Sequence, residues 1–235
     1  MKKKRTLSTI LLILLIIAFL ASGGYLFHYF WMAKQTEDEL SQLQQIRQEA
    51  FSDTEEETEV KSETGRSIQK GYRKLYKKNS DLIGWVTVKN TKIDYPVMSR
   101  QGDNNYYLDK NFNGEKDKNG LLILDYRCDV MQSGQNLIIY GHNMRSGVMF
   151  GTLKKYKDKQ FCEEHPTIRF SSLYEENEYK VVAAMLSEVA YADEDVFRYY
   201  DAIDMSTEQD FEAFHDNISQ NALYMLDDIA YGDSC

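Results

Sequence analysis

Four histidines are the first candidates for chemistry, and His142 is the one whose position fits a catalytic role. It follows the apolar run from Asn136 to Tyr140 and one glycine. The chain therefore leaves a buried strand and presents an imidazole where rigid support meets an open loop. Imidazole titrates near neutral pH, which suits general acid or base catalysis. Position alone leaves open the alternative that His142 is a turn residue satisfied by backbone groups.

The other three histidines are better explained by structural roles. His28 lies among aromatic residues near the N terminus, His215 lies on the apolar face of a predicted helix, and His165 precedes a proline in a turn. No Cys-x-x-Cys or His-x-x-x-His spacing occurs, and no glycine-rich phosphate loop follows a strand. We therefore expect no metal and no cofactor.

The net charge and the cysteine content argue against two classes of protein, nucleic-acid-binding proteins and disulfide-stabilised domains. The formal net charge of −9 argues against nucleic acid as a partner, because phosphate binding needs clustered Lys and Arg. The three cysteines, Cys128, Cys162 and Cys235, leave at least one thiol unpaired, which does not suit a domain held together by disulfides. The simplest interpretation of each cysteine is a small buried or terminal residue without chemistry.

The N-terminal region predicts a single membrane-spanning helix. Residues 6–33 carry no formal charge and are long enough to cross a bilayer. The basic residues just before them place residues 1–5 in the cytoplasm and the chain after residue 33 outside the cell. A signal peptide cleaved after Ala21-Ser22-Gly23 is the alternative. The anchor is favoured because the apolar and aromatic run continues well beyond that point.

The exposed part begins with polar and acidic residues 34–64, which predict a stalk or a marginal helix. A clearer helix follows, and a second helix starts near Ser206, with Gln209 in the capping-box position. The first of these helices carries apolar residues on one face: Ile68, Tyr72, Leu75 and Tyr76. Between the two helices the sequence predicts strands at Trp85–Val88, Lys92–Val97, Leu121–Leu124, Asn136–Tyr140, Thr167–Phe170 and Glu178–Ser187. Short strands with few helices predict a mainly β barrel or sandwich with peripheral helices.

The residues around His142 resemble the histidine motif of class B sortases, in the run Tyr140-Gly141-His142-Asn143-Met144 and its continuation to Tyr156. Other blocks follow in the family's order: Asn79–Trp85, Ile93–Val97, Tyr106–Leu108, Gly120–Arg127, Glu163–Pro166 and the acidic helix from Ser206 to Asn221. The resemblance covers about residues 65–235. It implies a sortase-like β-barrel, mainly β with peripheral helices, preceded by a transmembrane helix and N-terminal helices.

The resemblance also implies a membrane-anchored cysteine transpeptidase of the Gram-positive cell envelope. Such enzymes cleave a C-terminal sorting signal of surface proteins after Thr, often of the Asn-Pro-x-Thr type, and join the protein to an amine of a cell-wall precursor or another protein. A thiolate forms an acyl-thioester, a histidine protonates the leaving amine, and a cation stabilises the oxyanion. His142 matches that histidine, and this chemistry needs no metal or organic cofactor.

The family's nucleophile has no clear counterpart in this sequence. In the family it ends a segment that reads approximately Thr-Leu-Ser-Thr-Cys, and an arginine follows about ten residues later. Cys235 is the cysteine nearest that place, but the preceding segment differs, and an adjacent terminal carboxylate would raise its pKa. Arg127 and Arg145 do not match the family's arginine. We therefore expect either a piece of a longer enzyme, with the C-terminal strands missing from domain 65–235, or a non-catalytic peptide-binding module on the same scaffold.

Overall fold

The structure is a computed structural model that describes residues 2–53, 58–132, 134–187 and 197–232. The chain divides into two compact units, Met1–Gln42 and Leu43–Cys235. A continuous helix, α1 (Lys2–Ser52), begins in the first unit. Its most apolar window has a mean hydropathy of 2.6 and is not buried. In the described residues this is the one helix long and apolar enough to cross a membrane, by length and composition alone.

The last turns of α1 belong to the second unit, where Arg47 makes its contacts. The guanidinium carbon of Arg47 lies 5.0 Å from the ring centre of Trp85 and 5.4 Å from that of Tyr72. Its Nε also donates a hydrogen bond to the Tyr72 hydroxyl at 3.2 Å. A cation over aromatic faces is attracted by their negative π surface, so Arg47 fastens this end of the helix to the domain.

Helix α2 (Lys70–Lys78) confirms the predicted amphipathic segment. Tyr72 and Leu75 are both buried, at 0% exposure, because residues three apart share one face of a helix. Ile68 is also buried, at 1% exposure, but it lies before the helix begins, so the prediction that it shares the helical face is wrong. Tyr76, which the sequence predicts on the same face, is only half buried. The lysines at the end of α2 complement the negative end of the helix dipole.

The centre of the domain is a curled half-barrel sheet of six strands: β1 (Leu82–Thr87), β2 (Asp94–Met98), β3 (Leu122–Leu124), β4 (Ile139–Tyr140), β5 (Thr167–Ser172) and β6 (Glu176–Lys180). Their order is β4-β3-β2-β1-β5-β6, and all neighbours are antiparallel except the parallel pair β2 and β3. A separate antiparallel pair joins β7 (Ala183–Met185) to β8 (Ala222–Met225). Large apolar side chains of the sheet form the core, among them Trp85, Val97, Leu122, Ile123, Leu124 and Phe170.

The remaining elements are peripheral helices. They are α3 (Lys159–Glu164), α4 (Glu208–Asn221) and three 3₁₀ segments, Tyr106–Asp109, Phe150–Lys157 and Tyr199–Asp201. The prediction of a mainly β domain with peripheral helices is therefore confirmed.

Several local predictions differ from the structure. The strand predicted from Asn136 to Tyr140 is reduced to the two residues of β4. The cap of α4 is Thr207, whose hydroxyl accepts a hydrogen bond from the Asp210 amide, so the prediction of Ser206 as the cap is wrong. The strand predicted from Glu178 to Ser187 is divided between β6 and β7.

Candidate functional site around His142

His142 follows β4 directly, as predicted from the apolar run before it. In that strand Tyr140 pairs with Ile123 of β3, which fixes the strand's position. Gly141 then allows a close approach, because a Cβ there would lie 2.4 Å from Leu122 Cδ2. A side chain at position 141 would have to displace the side chains of Leu122 and Phe150, which pack against the glycine just before the imidazole.

The imidazole of His142 is half buried and has one clear polar partner. Its Nε2 lies 2.8 Å from the backbone oxygen of Leu108, which belongs to the 3₁₀ segment Tyr106–Asp109. The carbonyl oxygen of His142 accepts hydrogen bonds from the amides of Met144 and Phe150, at 3.1 and 3.0 Å. The ring and its backbone are therefore held from two directions. This position is confirmed, while the catalytic role of His142 stays a prediction.

The loop that follows His142 has an unusual backbone. Met149 has a φ of 52°, a region that residues with a side chain rarely adopt, and its side chain is fully buried. An isolated bridge pairs Met149 with Asn143. At Gly151, an added Cβ would lie 2.2 Å from the Met144 oxygen. Such backbone strain persists only where the surroundings enforce it, so the loop beside His142 is tightly determined.

A buried carboxylate supports the strand that presents His142. Asp125 is fully buried and accepts hydrogen bonds from Arg127 Nε (2.9 Å), from Arg127 Nη2 (2.7 Å) and from the Tyr140 hydroxyl (2.8 Å). Burial alone would raise the pKa of Asp125, but the hydrogen bonds, above all those from Arg127, hold that pKa below its usual range. Burial, and then the neighbouring Asp125, raise the pKa of Tyr140. At neutral pH the carboxylate is therefore ionised and the phenol is neutral.

The same cluster reaches a distant segment of the chain. Arg127 Nη2 also donates to the Tyr200 oxygen at 2.7 Å, and the Asn136 side-chain amide donates to the Ala202 oxygen at 2.8 Å. No role is predicted from the sequence for Asp125 or Arg127. A usable signal was present, since an aspartate just after an apolar strand often accepts a hydrogen bond from the amide two residues on, and here the Arg127 amide donates to Asp125 Oδ1 at 3.0 Å.

The positions of the cysteines bear on the nucleophile. Cys128 is buried and donates to the Asn136 oxygen at 3.3 Å, and Cys162 is fully buried. Burial raises the pKa of both thiols, so both are poor nucleophiles. Cys235, the cysteine nearest the family's nucleophile in sequence, lies outside the described residues. Of the two arginines considered, Arg127 is engaged by Asp125, whereas Arg145 is exposed.

Two of the other histidines have packing partners that fit structural roles. His165 stacks on Phe161 with ring centres 4.0 Å apart. His215 stacks on Phe211 with ring centres 6.0 Å apart, and its Nε2 lies 3.3 Å from a carboxylate oxygen of Asp228.

Comparison with known proteins places this geometry in a family. No protein-family model matches the chain. It is 36% identical over 152 residues to sortase B of Listeria monocytogenes, a match that covers 65% of this chain and 58% of that protein. It is 28% identical over 228 residues to sortase B of Staphylococcus aureus, covering 97% of this chain and 85% of that protein. The chain thus spans less than two thirds of the first relative.

Solved structures give the same result. Sortase B from Bacillus anthracis, in complex with AAEK1, has a TM-score of 0.69 at 27% identity over 86% of each chain. The S. aureus sortase B–substrate complex has a TM-score of 0.69 at 25% identity, covering 84% of this chain and 83% of the other. Sortase B from L. monocytogenes has a TM-score of 0.58 at 34% identity, covering 67% of this chain and 86% of the other.

The half-barrel, with a histidine at the end of its edge strand β4, defines a sortase-type domain. Within that class, the similarities are to B-type members on both sequence and structure. The chain belongs to the class B sortase family.

Proposed function

We propose that this protein is a membrane-anchored transpeptidase. It cleaves a C-terminal sorting signal of secreted surface proteins after Thr and transfers the acyl group, through a thioester, to an amine of a cell-wall precursor or protein. The main support for the proposal is the placement of His142. Its imidazole lies just after the end of β4, with Nε2 2.8 Å from the Leu108 oxygen. His142 would act as the general acid and base of this reaction, and it lies among the described residues.

His142 moves the protons in the proposed reaction. It accepts the proton of a cysteine thiol, and the thiolate attacks the carbonyl of the sorting-signal threonine. The imidazolium then gives that proton to the departing amide nitrogen, which leaves as an amine. In the second half the incoming amine loses a proton to His142 as it attacks the thioester, and the thiolate is released. No metal or organic cofactor takes part in these steps.

The proposed nucleophile is a thiol outside the described residues. Cys128 and Cys162 are buried, with raised pKa values, and the Cys128 thiol donates to the Asn136 oxygen. Cys235 is the thiol of this chain that lies outside the described part. The unsuitability of the two buried thiols is also the observation that favours the second candidate function, a non-catalytic module that holds a sorting peptide on a sortase scaffold.

The partner and the location follow from the relatives and from the N-terminal helix. The S. aureus relative has been solved as a complex with substrate, which supports a peptide sorting signal as the ligand here. We propose that residues 1–5 are cytoplasmic and that residues 6–33 cross the membrane once. Residues 34–64 then lie between the anchor and an extracellular sortase-like domain, residues 65–235, and the last turns of α1 within them pack on that domain through Arg47. The exposed apolar surface of α1 supports this arrangement, since it would be costly in water.

The test uses the protein as made from its own gene, in washed membranes. A quenched fluorescent peptide containing Asn-Pro-x-Thr is added with and without an amine, and the products are identified by mass. The proposal predicts cleavage after Thr and an amine-linked product. Cleavage to the free acid alone indicates a hydrolase, and binding without cleavage indicates the peptide-binding module. Either of these results overturns the transpeptidase.

A matched pair of variants tests the part played by the histidine. His142→Ala is expected to lose turnover by 10²-fold or more, the size typical of a lost acid or base. His165→Gln changes a histidine packed against Phe161 and is expected to retain turnover. Equal turnover in His142→Ala and wild type would exclude His142 as the acid and base.

A further inference from the structure

The strongest unassigned feature of the site is the backbone that faces His142. We propose that the Leu108 carbonyl fixes His142 as the Nε2–H tautomer, that Nδ1 therefore carries the proton that moves, and that Gly120 is the positioning residue that makes this contact possible. The part that concerns the moving proton rests on the proposed function. The tautomer and the role of Gly120 do not.

The tautomer follows from what a carbonyl can do. A backbone oxygen only accepts hydrogen bonds, and Nε2 of His142 lies 2.8 Å from the Leu108 oxygen, so Nε2 carries a hydrogen. In neutral imidazole the other nitrogen, Nδ1, then holds the lone pair. Nδ1 takes the proton from the thiol, leaving a thiolate and an imidazolium, and later gives it to the departing amine. The Nε2–H bond to Leu108 stays in place through both transfers.

Gly120 allows the Leu108 carbonyl to occupy its position. Its φ of 56° favours glycine, and an added Cβ would lie 2.3 Å from the Leu108 oxygen and 2.6 Å from the Tyr107 oxygen. Both neighbours are backbone atoms, which cannot swing aside like the end of a flexible side chain. A side chain at position 120 would therefore displace the oxygen that faces His142.

The 3₁₀ segment is also anchored independently of the histidine. Tyr107 is buried, its hydroxyl donates to Asp81 Oδ2 at 2.8 Å, and the same hydroxyl accepts from the Asn79 side-chain amide at 2.8 Å. The Leu121 amide donates to the Tyr107 oxygen at 2.8 Å. The Leu108 carbonyl is thus set in place by its neighbours, as a support for a functional side chain should be.

The tautomer is read directly by ¹H–¹⁵N spectroscopy of the histidine rings in the detergent-solubilised protein, with His142→Gln used for assignment. We expect the neutral His142 ring to carry its hydrogen on Nε2. A hydrogen on Nδ1 in the wild-type protein overturns the proposal. This readout needs no turnover, so it stands even if the protein proves not to be a transpeptidase.

Gly120→Ala is compared with Gly102→Ala as a matched control. Gly102 also has a positive φ, 77°, but an added Cβ there meets nothing within 4 Å. Both variants carry the backbone cost of alanine in this conformation, and only Gly120→Ala disturbs Leu108. We expect Gly120→Ala to lose the single Nε2–H tautomer and to lower kcat by about 10- to 100-fold, with KM little changed. Gly102→Ala is expected to match the wild type.

A Gly120→Ala protein with the wild-type tautomer and kcat would overturn the role of Gly120. If that variant does not fold, Tyr107→Phe provides the test. It keeps the aromatic ring but removes the hydroxyl that bonds to Asp81 and Asn79. We expect a mixed tautomer of His142 in Tyr107→Phe and the wild-type tautomer in Tyr106→Phe. An unchanged tautomer in Tyr107→Phe would then contradict the proposal.

Discussion

Asp125 and Arg127 form a two-pronged ion pair in which the carboxylate is fully buried and the guanidinium side chain is 38% exposed. The pair lies directly after the end of β3. The Tyr140 hydroxyl donates a hydrogen bond to the same carboxylate, and Tyr140 lies in β4, two residues before His142. A buried charge without its partner is strongly unfavourable. The pair therefore links the stability of the domain to the position of the candidate catalytic histidine.

Arg127→Ala is expected to lower the free energy of unfolding by about 3 kcal/mol, because it leaves the Asp125 carboxylate buried without its cation. We take the low end of the usual range since the guanidinium is partly exposed. Urea unfolding followed by circular dichroism measures the change. Arg169→Ala is the control, because Arg169 and Glu178 form a pair with both side chains 55% exposed, which contributes at most about 1 kcal/mol. Equal losses in the two variants would contradict the assignment.

The Asp125 carboxylate also makes a specific prediction about pH. Its pKa in the folded protein is lowered, chiefly by the hydrogen bonds of Arg127 acting against burial, so its ionised form contributes stability above the unfolded pKa of about 3.9. That contribution is lost as pH falls through the unfolded value toward the folded one. The difference in unfolding free energy between wild type and Asp125→Asn should be similar at pH 7 and pH 5 and smaller at pH 3. If the difference grows as the pH falls, the pKa of Asp125 is raised on folding and not lowered, which would contradict this prediction.

Arg47 is expected to hold the last turns of α1 against the sheet and α2 within the second unit. It lies over the rings of Trp85 and Tyr72, donates to the Tyr72 hydroxyl, and approaches an Asp94 oxygen at 3.8 Å. Arg47→Ala should lower the free energy of unfolding by about 2 kcal/mol, from the lost cation–π contacts and hydrogen bond. Arg47→Lys should recover part of the loss, because it restores the charge but not the planar donor. Urea unfolding distinguishes the three proteins, and an unchanged Arg47→Ala would contradict this role.

Cys128 and Cys162 should react slowly with iodoacetamide in the native protein at pH 8. Both are buried and burial raises both pKa values, so little thiolate is exposed to the reagent. Labelling sites and rates are measured by peptide mass spectrometry, with urea-unfolded protein as the reference. Both residues should gain the label rapidly only after unfolding. Native labelling of either residue at the unfolded rate would reopen it as a nucleophile.

Much of the fold could be predicted because periodicity reflects local burial. The face of α2 and the strands β1 to β3 follow directly from spacing. Where prediction failed, distant partners decided. The strand predicted from Asn136 is shorter, because the Asn136 amide donates to the Ile203 oxygen and not to a strand. Similarly, β7 is separated from β6 because it pairs with β8, about 40 residues further along the chain.

The candidate site shows the same division between local and distant information. His142 could be singled out because it follows an apolar strand and a glycine. The hydrogen-bond partner of His142 could not be predicted, because it is the backbone oxygen of Leu108 and every residue type carries such an oxygen. The prediction of Ser206 as the N-cap of α4 was wrong for a local reason. Ser206 and Thr207 are adjacent, and the hydroxyl of either residue can cap a helix. The Ser206 amide is instead bonded to the Asp204 side chain at 3.0 Å.

If His142 is the acid and base of a thioester-forming reaction, the rate at which the covalent intermediate forms must depend on it. Protein made from its own gene is mixed with the sorting peptide without amine, quenched in acid within the first turnover, and analysed by peptide mass spectrometry. We expect a peptide acyl group on a cysteine thiol other than Cys128 or Cys162, formed at least about 10²-fold more slowly in His142→Ala. An adduct that forms equally fast in both proteins, or no adduct in the wild type, would contradict it.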